Sequence, residues 1–454
     1  MADILIKNTK VLYNNYLQPG EVVIEDGKIA RIGKDIRLNS VDKVIDANGA
    51  LTLPAGIDVH VHFREPGMTH KEDWYTGSSA AAAGGITTVI EHPNTLPPVT
   101  NKKRFNAKLK LAEKKSIIDF GLNGGVSHDM SLLSELWDSG ITSFGEIFMA
   151  ESTAGLGIDM DTLENALIGI NKLDAIPCIH AEDEEVRLKN QKYLIHDMTP
   201  MSHSRERSNM CEAIAIEKAL DIVQKNHLQV HFCHTSTKEG LGLIRREKYV
   251  SQQAGFNNIT CEVAPHHLFL STRDWDRLGS FGKMNPPLRD RSSVKILLNS
   301  INDGTVDMIA SDHAPHLEHE KDSDIKNAPS GVPGVETLMP LMLSAVKKNL
   351  LPLGTMVDVT SRNPAKRFGL VEHGKGIFGE GYDADLIILD SQLRKISADD
   401  LHSKAGWTPY EGMEGVFPRI TIARGEIVFD EEVTGEKGRG NFLNGKGSSM
   451  DINS

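Results

Sequence analysis

Cysteine is scarce in this chain. Four cysteines, Cys178, Cys211, Cys233 and Cys261, are spread over 454 residues and form no Cys-x-x-Cys pair. So sparse a set fits a reduced intracellular setting better than a disulfide framework. Basic residues are in deficit as well, with Lys+Arg 50 against Asp+Glu 62 and a formal net charge of -12. Nucleic acid and anionic membranes both call for a basic surface, so neither is expected as a partner. A small anionic substrate is not excluded, because one local cationic pocket is enough for it. Long apolar runs are missing too. Met1 to Leu12 alternates apolar and polar residues around Lys7 and lacks the apolar stretch of a signal peptide. No run reaches the length needed to span a bilayer. The cytoplasm is the expected location. No internal repeat with a period of roughly 20 to 50 residues is visible.

What is present changes character along the chain. ILIKNTKVLY, EVVIEDGKIARIG and DKVIDANGALTLP cluster or alternate β-branched residues around Asp-Gly and Asn-Gly turns, which predicts short strands over residues 1–52. From Gly56 onward strand-like runs alternate with helical stretches. GIDVHVHF, TTVIEHP, SIIDFGLNGGV, SFGEIFM, IPCIHAED, QVHFCHTS, ITCEVAPHH and VDMIASDHAP are eight candidate strands, and this rhythm predicts a (β/α)8 barrel over residues 53–370. ADLIILD, GVFPRITIARG and EIVFD return to strand character over 371–433. Joined to the N-terminal strands, they predict a small β-sandwich domain made from both chain ends. Residues 434–454, rich in Gly and Ser, read as a flexible tail.

Barrel active sites form where strands end and βα loops begin. Metal-competent side chains stand at those points: His60 and His62 on the first strand, Glu146 on the fourth, His180 on the fifth, His234 on the sixth and Asp312 on the eighth. Side chains in a strand alternate, so His60 and His62 face one side and Val61 the other. Imidazoles and carboxylates gathered from distant strands make a site suited to Zn2+. A His-x-His pair among eighteen histidines is unremarkable alone; its company at the strand ends gives it weight.

The chain also carries an ordered series of motifs: Gly56-Ile57-Asp58-Val59-His60-Val61-His62-Phe63-Arg64-Glu65-Pro66-Gly67, Pro93-Asn94-Thr95, Ile179-His180-Ala181-Glu182 and His231-Phe232-Cys233-His234. Asn285-Pro286-Pro287-Leu288-Arg289, Ser311-Asp312-His313-Ala314-Pro315-His316, Pro329 to Thr337, Asn363-Pro364-Ala365-Lys366 and Gly381 to Leu386 complete it. Over nearly its whole length the sequence resembles the dihydroorotase family of the amidohydrolase superfamily. The resemblance implies reversible cyclisation of carbamoyl aspartate to dihydroorotate, zinc as cofactor and a homodimer. It implies that His60 and His62 bind one zinc, His180 and His234 a second, and that Asp312 binds the first and shuttles the proton. Arg64, Asn94, Asn285 and His316 would hold the substrate, with backbone contacts from Ser330 and Gly331.

Many members of the family carry a carboxylated lysine between the metals on the fourth strand. Here that position is Glu146, whose own carboxylate can bridge two cations without modification; its shorter reach leaves one ion as the minimum expectation. The alternative role for Glu146 is an ion pair with a neighbouring Lys or Arg. Arg64 suits a substrate carboxylate because a guanidinium grips one with two hydrogen bonds. Two residues past His62, it shares that face if the strand continues; its alternative is a structural ion pair with Glu65 or Asp73. His92 reads as a packed or substrate-loop residue, His231 as core or as support for the site, and Cys233 as a small buried residue. His266 and His267 receive no metal role. Met149 to Asp159, with small residues and glycines, is a candidate lid. Two other functions stay open: a cyclic amidohydrolase of the allantoinase or hydantoinase kind, and a non-catalytic barrel acting as a scaffold.

Overall fold

The computed structural model describes residues 2–13, 16–151, 155–390 and 392–447. The N-terminal strands are β1 (Ala2–Tyr13), β2 (Tyr16–Glu25), β3 (Lys28–Gly33), β4 (Val41–Asp46) and β5 (Leu51–Pro54). Asp26 and Gly27, with φ of 50° and 74°, make the tight turn between β2 and β3; paired positive φ values match the twist of the strands they join. β1 changes neighbours midway. Its first residues run parallel to β4, Lys10 and Val11 run parallel to β5, and the register with β2 shifts between Ile6 and Thr9.

Eight strands build the barrel: β6 (Gly56–Val61), β7 (Ile86–Glu91), β8 (Asp119–Leu122), β9 (Phe144–Phe148), β10 (Pro177–His180), β11 (Val230–Phe232), β12 (Ile259–Val263) and β13 (Met308–Ile309). All their residues are buried, which is why they read as near-continuous apolar runs. Neighbours pair in parallel from β6 to β8 and from β9 to β13. Parallel bridges from Gly124 to Phe144 and from Val61 to His313 close the two arcs into a ring. The surrounding helices begin where the sequence offers a capping oxygen. Asp73, Asn101, Asp159, Asp183, Thr237 and Asp290 each accept a hydrogen bond from a backbone N–H of the following turn. None of the described helices is long and apolar enough to cross a membrane.

The C-terminal strands are β14 (Leu386–Leu389), β15 (Arg394–Lys395), β16 (Glu414–Gly415), β17 (Pro418–Ala423), β18 (Glu426–Asp430) and β19 (Glu432–Val433). β14 lies between β5 and β17, so both ends of the chain share one nine-stranded sheet. Ile4, Ile6, Val22, Ile24, Ile45, Leu386, Ile388, Ile420 and Ile422 form its core, separate from that of the barrel. A buried charge cluster ties domain to barrel: Lys375 Nζ lies 2.5 Å from Asp119 of β8, 2.9 Å from Asp383 and 3.0 Å from Asp385.

The expected tail from residue 434 needs correction. As far as residue 447 it is laid along the barrel, and residues 448–454 lie outside the described residues. Asn441 N–H donates to Asp119 Oδ1 and Leu443 N–H to the Phe120 carbonyl, both at 2.8 Å, and Gly445 N–H donates to the Gly140 carbonyl at 2.8 Å. Glycine here serves close approach rather than mobility. A Cβ on Gly440 would collide with the Ile118 carbonyl, and one on Gly445 with that of Ile141.

Candidate active site

Strand alternation puts the rings of His60 and His62 on one side of the barrel, facing carboxylates from two other strand ends. His62 Nε2 lies 3.2 Å from Asp312 Oδ1 and 3.5 Å from Glu146 Oε2. His60 Nε2 lies 3.5 Å from Glu146 Oε1 and 3.6 Å from Asp312 Oδ1. Across Glu146, His180 Nδ1 is 3.2 Å and His234 Nε2 2.8 Å from Oε1. Among the described residues His60 also makes metal-competent groups with His92 and Glu146 and with Cys233 and Glu262; the two groups that gather the expected ligands are His60/His62/Asp312 and Glu146/His180/His234. The Glu146 carboxylate stands between them. It touches four imidazoles and, among the described residues, no Lys or Arg, so the simple ion pair is not found.

The state of the imidazoles tests whether these residues fit a metal. Three of them give one ring N–H to a fixed acceptor. His60 Nδ1 donates to Glu262 at 2.5 Å, His62 Nδ1 to Asn94 Oδ1 at 2.7 Å, and His180 Nε2 to Glu182 at 2.8 Å. In the neutral tautomer that carries this N–H, each would turn its other nitrogen bare toward the carboxylates, the form a metal ligand takes. His60 Nε2 is fully buried and has no hydrogen-bond partner among the described residues. Nitrogen lone pairs and carboxylate oxygens in a dry pocket fit a divalent cation of borderline softness. Burial alone would raise the Glu146 carboxyl, but His60, His180 and His234 outweigh it and hold it well below the usual carboxylate range. Asp312 is likewise buried, and His62, His60 and His234 draw it down to about 2.

Arg64 does not reach the site by strand alternation. β6 stops at Val61, and the backbone turns left-handed at Arg64, with φ of 63°. His234 and Asp312 also have positive φ, 26° and 48°. Non-glycine residues held this way gather at functional sites. Arg64 is buried, its Nε donates to the Pro315 carbonyl at 3.1 Å, and its Nη2 lies 3.2 Å from His316 Nε2. Glu65 pairs instead with Lys115, and Asp73 caps the helix Trp74–Ala83 and pairs with Lys404. Neither structural partner expected for Arg64 is engaged with it. Burial pulls the guanidinium down to about 10 against the pull of Asp312 and Glu91.

His62, Arg64, Asn94, Glu146, His180, Asn285, Asp312, Ser330 and Gly331 line one pocket, so the structure gathers most of the predicted residues around one space. Asn285 Oδ1 is buried without a hydrogen-bond partner among the described residues. The Gly331 N–H is already bonded to the Lys283 carbonyl at 2.9 Å, and the Ser330 carbonyl lies 3.0 Å from His316 Nε2. His92 packs against the site, its ring stacked on His60 with centroids 4.0 Å apart. His266 and His267 are buried outside both ligand groups. Of the candidate lid, residues 152–154 lie outside the described residues, and Ile158 N–H donates to the Phe148 carbonyl at 3.0 Å.

Several supporting residues were not foreseen. Glu262 and Glu182 hold the candidate ligands His60 and His180, and Arg207 pairs with Glu182. Lys321, buried, donates to the carbonyls of Lys283, Pro329 and Gly331 and so pins the loop that borders the pocket. Glu262 had a signal, a lone carboxylate inside the apolar run ITCEV. Lys321 had none, because its partners are backbone carbonyls.

A closed parallel barrel with imidazoles and carboxylates converging at the strand ends defines a metal-dependent hydrolase. The chain belongs to the amidohydrolase family: the profile described as Amidohydrolase family matches residues 51–428. Relatives within that family are dihydroorotases. The chain is 61% identical over 450 residues to the dihydroorotase of Methanosarcina acetivorans, covering 98% of this chain and 96% of that one. It is 41% identical over 423 residues to the dihydroorotase of Halobacterium salinarum, covering 90% and 96%. Among solved structures, L-hydantoinase (dihydropyrimidinase) from Arthrobacter aurescens matches with a TM-score of 0.92 at 30% identity, over 98% of this chain and 100% of that one. Dihydropyrimidinase from Brevibacillus agri matches with a TM-score of 0.89 at 27% identity, over 99% and 100%.

Proposed function

We propose that this chain is a dihydroorotase, a zinc enzyme that interconverts dihydroorotate and N-carbamoyl aspartate in pyrimidine synthesis. One observation carries the choice of substrate. Arg64 is buried at the pocket and pairs with no carboxylate among the described residues. Burying a cation without a partner is costly unless a partner arrives. Dihydroorotate brings a carboxylate, whereas hydantoin and allantoin bring none. The likeness to hydantoinase structures supports a second reading, in which a neutral ring is opened by the same machinery.

His60, His62 and Asp312 would hold one zinc ion, and His180 and His234 a second, with Glu146 between them. Bound there, zinc would supply a water acidified to near neutral pH and a Lewis acid for the ring amide. Arg64 grips the substrate carboxylate. Asn94 accepts from His62 through Oδ1, which leaves its NH2 for the ligand; Asn285 faces the same space, and His316 backs Arg64. Asp312 keeps Oδ1 toward His62, so Oδ2 is the atom that takes the proton from the attacking water. As the new C–O bond forms and the ring C–N bond breaks, Asp312 hands that proton to the departing nitrogen; cyclisation runs the same path in reverse. The resemblance to the dihydroorotase family supports a homodimer, and the sparse cysteines fit a cytoplasmic setting.

The test is to incubate the zinc-loaded protein with dihydroorotate, hydantoin and allantoin in parallel. Opening of dihydroorotate alone, abolished by Asp312→Ala, is the expected result. Opening of a neutral ring without turnover of dihydroorotate would move the chain to the hydantoinase kind, and no turnover of any ring would favour a scaffold.

A further inference from the structure

Thr260 and Glu262 stand two residues apart on β12 and so share a face; His231, on the neighbouring β11, is the register partner of Thr260. Their side chains join into one path. The Thr260 hydroxyl lies 2.9 Å from His231 Nδ1, His231 Nε2 lies 3.1 Å from Glu262 Oε2, and Glu262 Oε1 lies 2.5 Å from His60 Nδ1. Glu262 Oε1 also accepts the His234 backbone N–H at 3.2 Å. One carboxylate therefore reaches a residue from each ligand group. His231 and Glu262 are both 1% exposed.

A buried glutamate kept for packing alone is usually neutralised by Lys or Arg, because an uncompensated charge in the interior is expensive. This barrel does so elsewhere: Glu91 pairs with Lys108, and Glu182 with Arg207. Glu262 has imidazoles instead. Its charge is offset if His60 passes the field of a cation on to it, as carboxylate–imidazole–metal arrays do.

We propose that Glu262, itself held by His231, is a positioning residue of the metal centre: it fixes His60 with Nε2 bare toward the ion, pins the His234 backbone, and so sets how tightly the centre holds its metal. The proposal rests on the zinc reading above. The Glu262 carboxylate demands the Nδ1–H tautomer of His60; the His231 Nε2–H holds that carboxylate in place, and the Thr260 hydroxyl, donating to His231 Nδ1, fixes the ring behind it. Glu262→Gln keeps the volume but can turn an NH2 toward His60 and favour the wrong tautomer. His231→Phe keeps a ring in the core and removes the support behind Glu262.

The experiment measures zinc affinity of metal-stripped full-length protein by competition with a chromophoric chelator. The visible spectrum of the cobalt-loaded form and the thermal midpoint of the metal-free form are recorded alongside. Glu262→Gln is expected to weaken zinc binding by about 10–100-fold and to shift the cobalt bands. His231→Phe is expected to give a smaller loss in the same direction, and it carries the test if Glu262→Gln does not fold. Wild-type zinc affinity and an unchanged cobalt spectrum in a folded variant would overturn the proposal. A wild-type protein that takes up no zinc would instead overturn the metal reading beneath it.

Discussion

The Trp407 indole donates a 2.8 Å hydrogen bond to the carbonyl of His316. A segment from the far end of the chain thus holds the residue that backs Arg64. Trp407→Phe removes the donor and keeps an aromatic ring in the cluster of Trp275, Leu341 and Tyr410. The loss of one hydrogen bond is worth about 0.5–1.5 kcal/mol. KM for dihydroorotate should rise up to about tenfold with little change in kcat, read from initial rates.

Arg64→Lys keeps a positive charge but loses the planar fork. KM should rise by at least about tenfold, and more for Arg64→Ala, since hydrogen bonds to charged groups contribute about 1.5–3 kcal/mol. Bound zinc, measured by atomic absorption, should not change in either variant. Parallel loss of metal would assign Arg64 to the metal centre rather than to substrate.

Glu146 supplies its carboxylate from its own side chain, so no carbon dioxide adduct is needed. Protein stripped by a chelator should lose activity and regain it with zinc in bicarbonate-free buffer. Recovery that waits on bicarbonate would show that a modified lysine bridges the centre.

Lys375 is buried among Asp119, Asp383 and Asp385. Lys375→Met leaves those carboxylates without their central cation and should cost about 3–5 kcal/mol. Chemical denaturation would report it as a lower midpoint. An unchanged midpoint would mean that Arg424, 3.0 Å from Asp119, suffices alone.

His203 is buried, and its Nε2 donates to the Met284 carbonyl at 2.9 Å. Burial, helped by the nearby Arg207, pushes its pKa down to about 3. In the unfolded chain it protonates below about 6.5, while the folded form stays neutral to about 3. Its contribution is therefore complete above pH 6.5 and drains away as pH falls toward 3, by up to about 1.4 kcal/mol per pH unit. His203→Gln should flatten the stability curve over that window relative to wild type. Parallel curves would remove His203 as a source of acid sensitivity.

Much of the candidate site is legible in the sequence because its candidate ligands sit at strand ends, where period-two alternation and βα loops announce them. His60 and His62 face one way for that reason, and Glu146, His180, His234 and Asp312 occur at the corresponding points of later strands. Arg64 is legible through its motif and not through strand alternation: its approach depends on one left-handed residue, which strand periodicity does not encode. The supporting residues were harder. Glu182 holds His180 from an ordinary charged segment, Glu262 stands out only as a lone carboxylate in an apolar run, and Trp407 reaches His316 across the fold. The segment ending at Gly447 misled through composition, since glycines that permit tight packing look the same as glycines that permit motion.

The shared sheet also sets an order of events at the ribosome. β5 emerges early, but its partner β14 follows only after the entire barrel has been synthesised. Through that interval β5 presents an unpaired edge, an invitation to pair with another chain. Nascent chains halted before Leu386 should therefore be the stage most prone to aggregate and most in need of a chaperone, and the last strands to leave the tunnel act as the latch that ends this exposure.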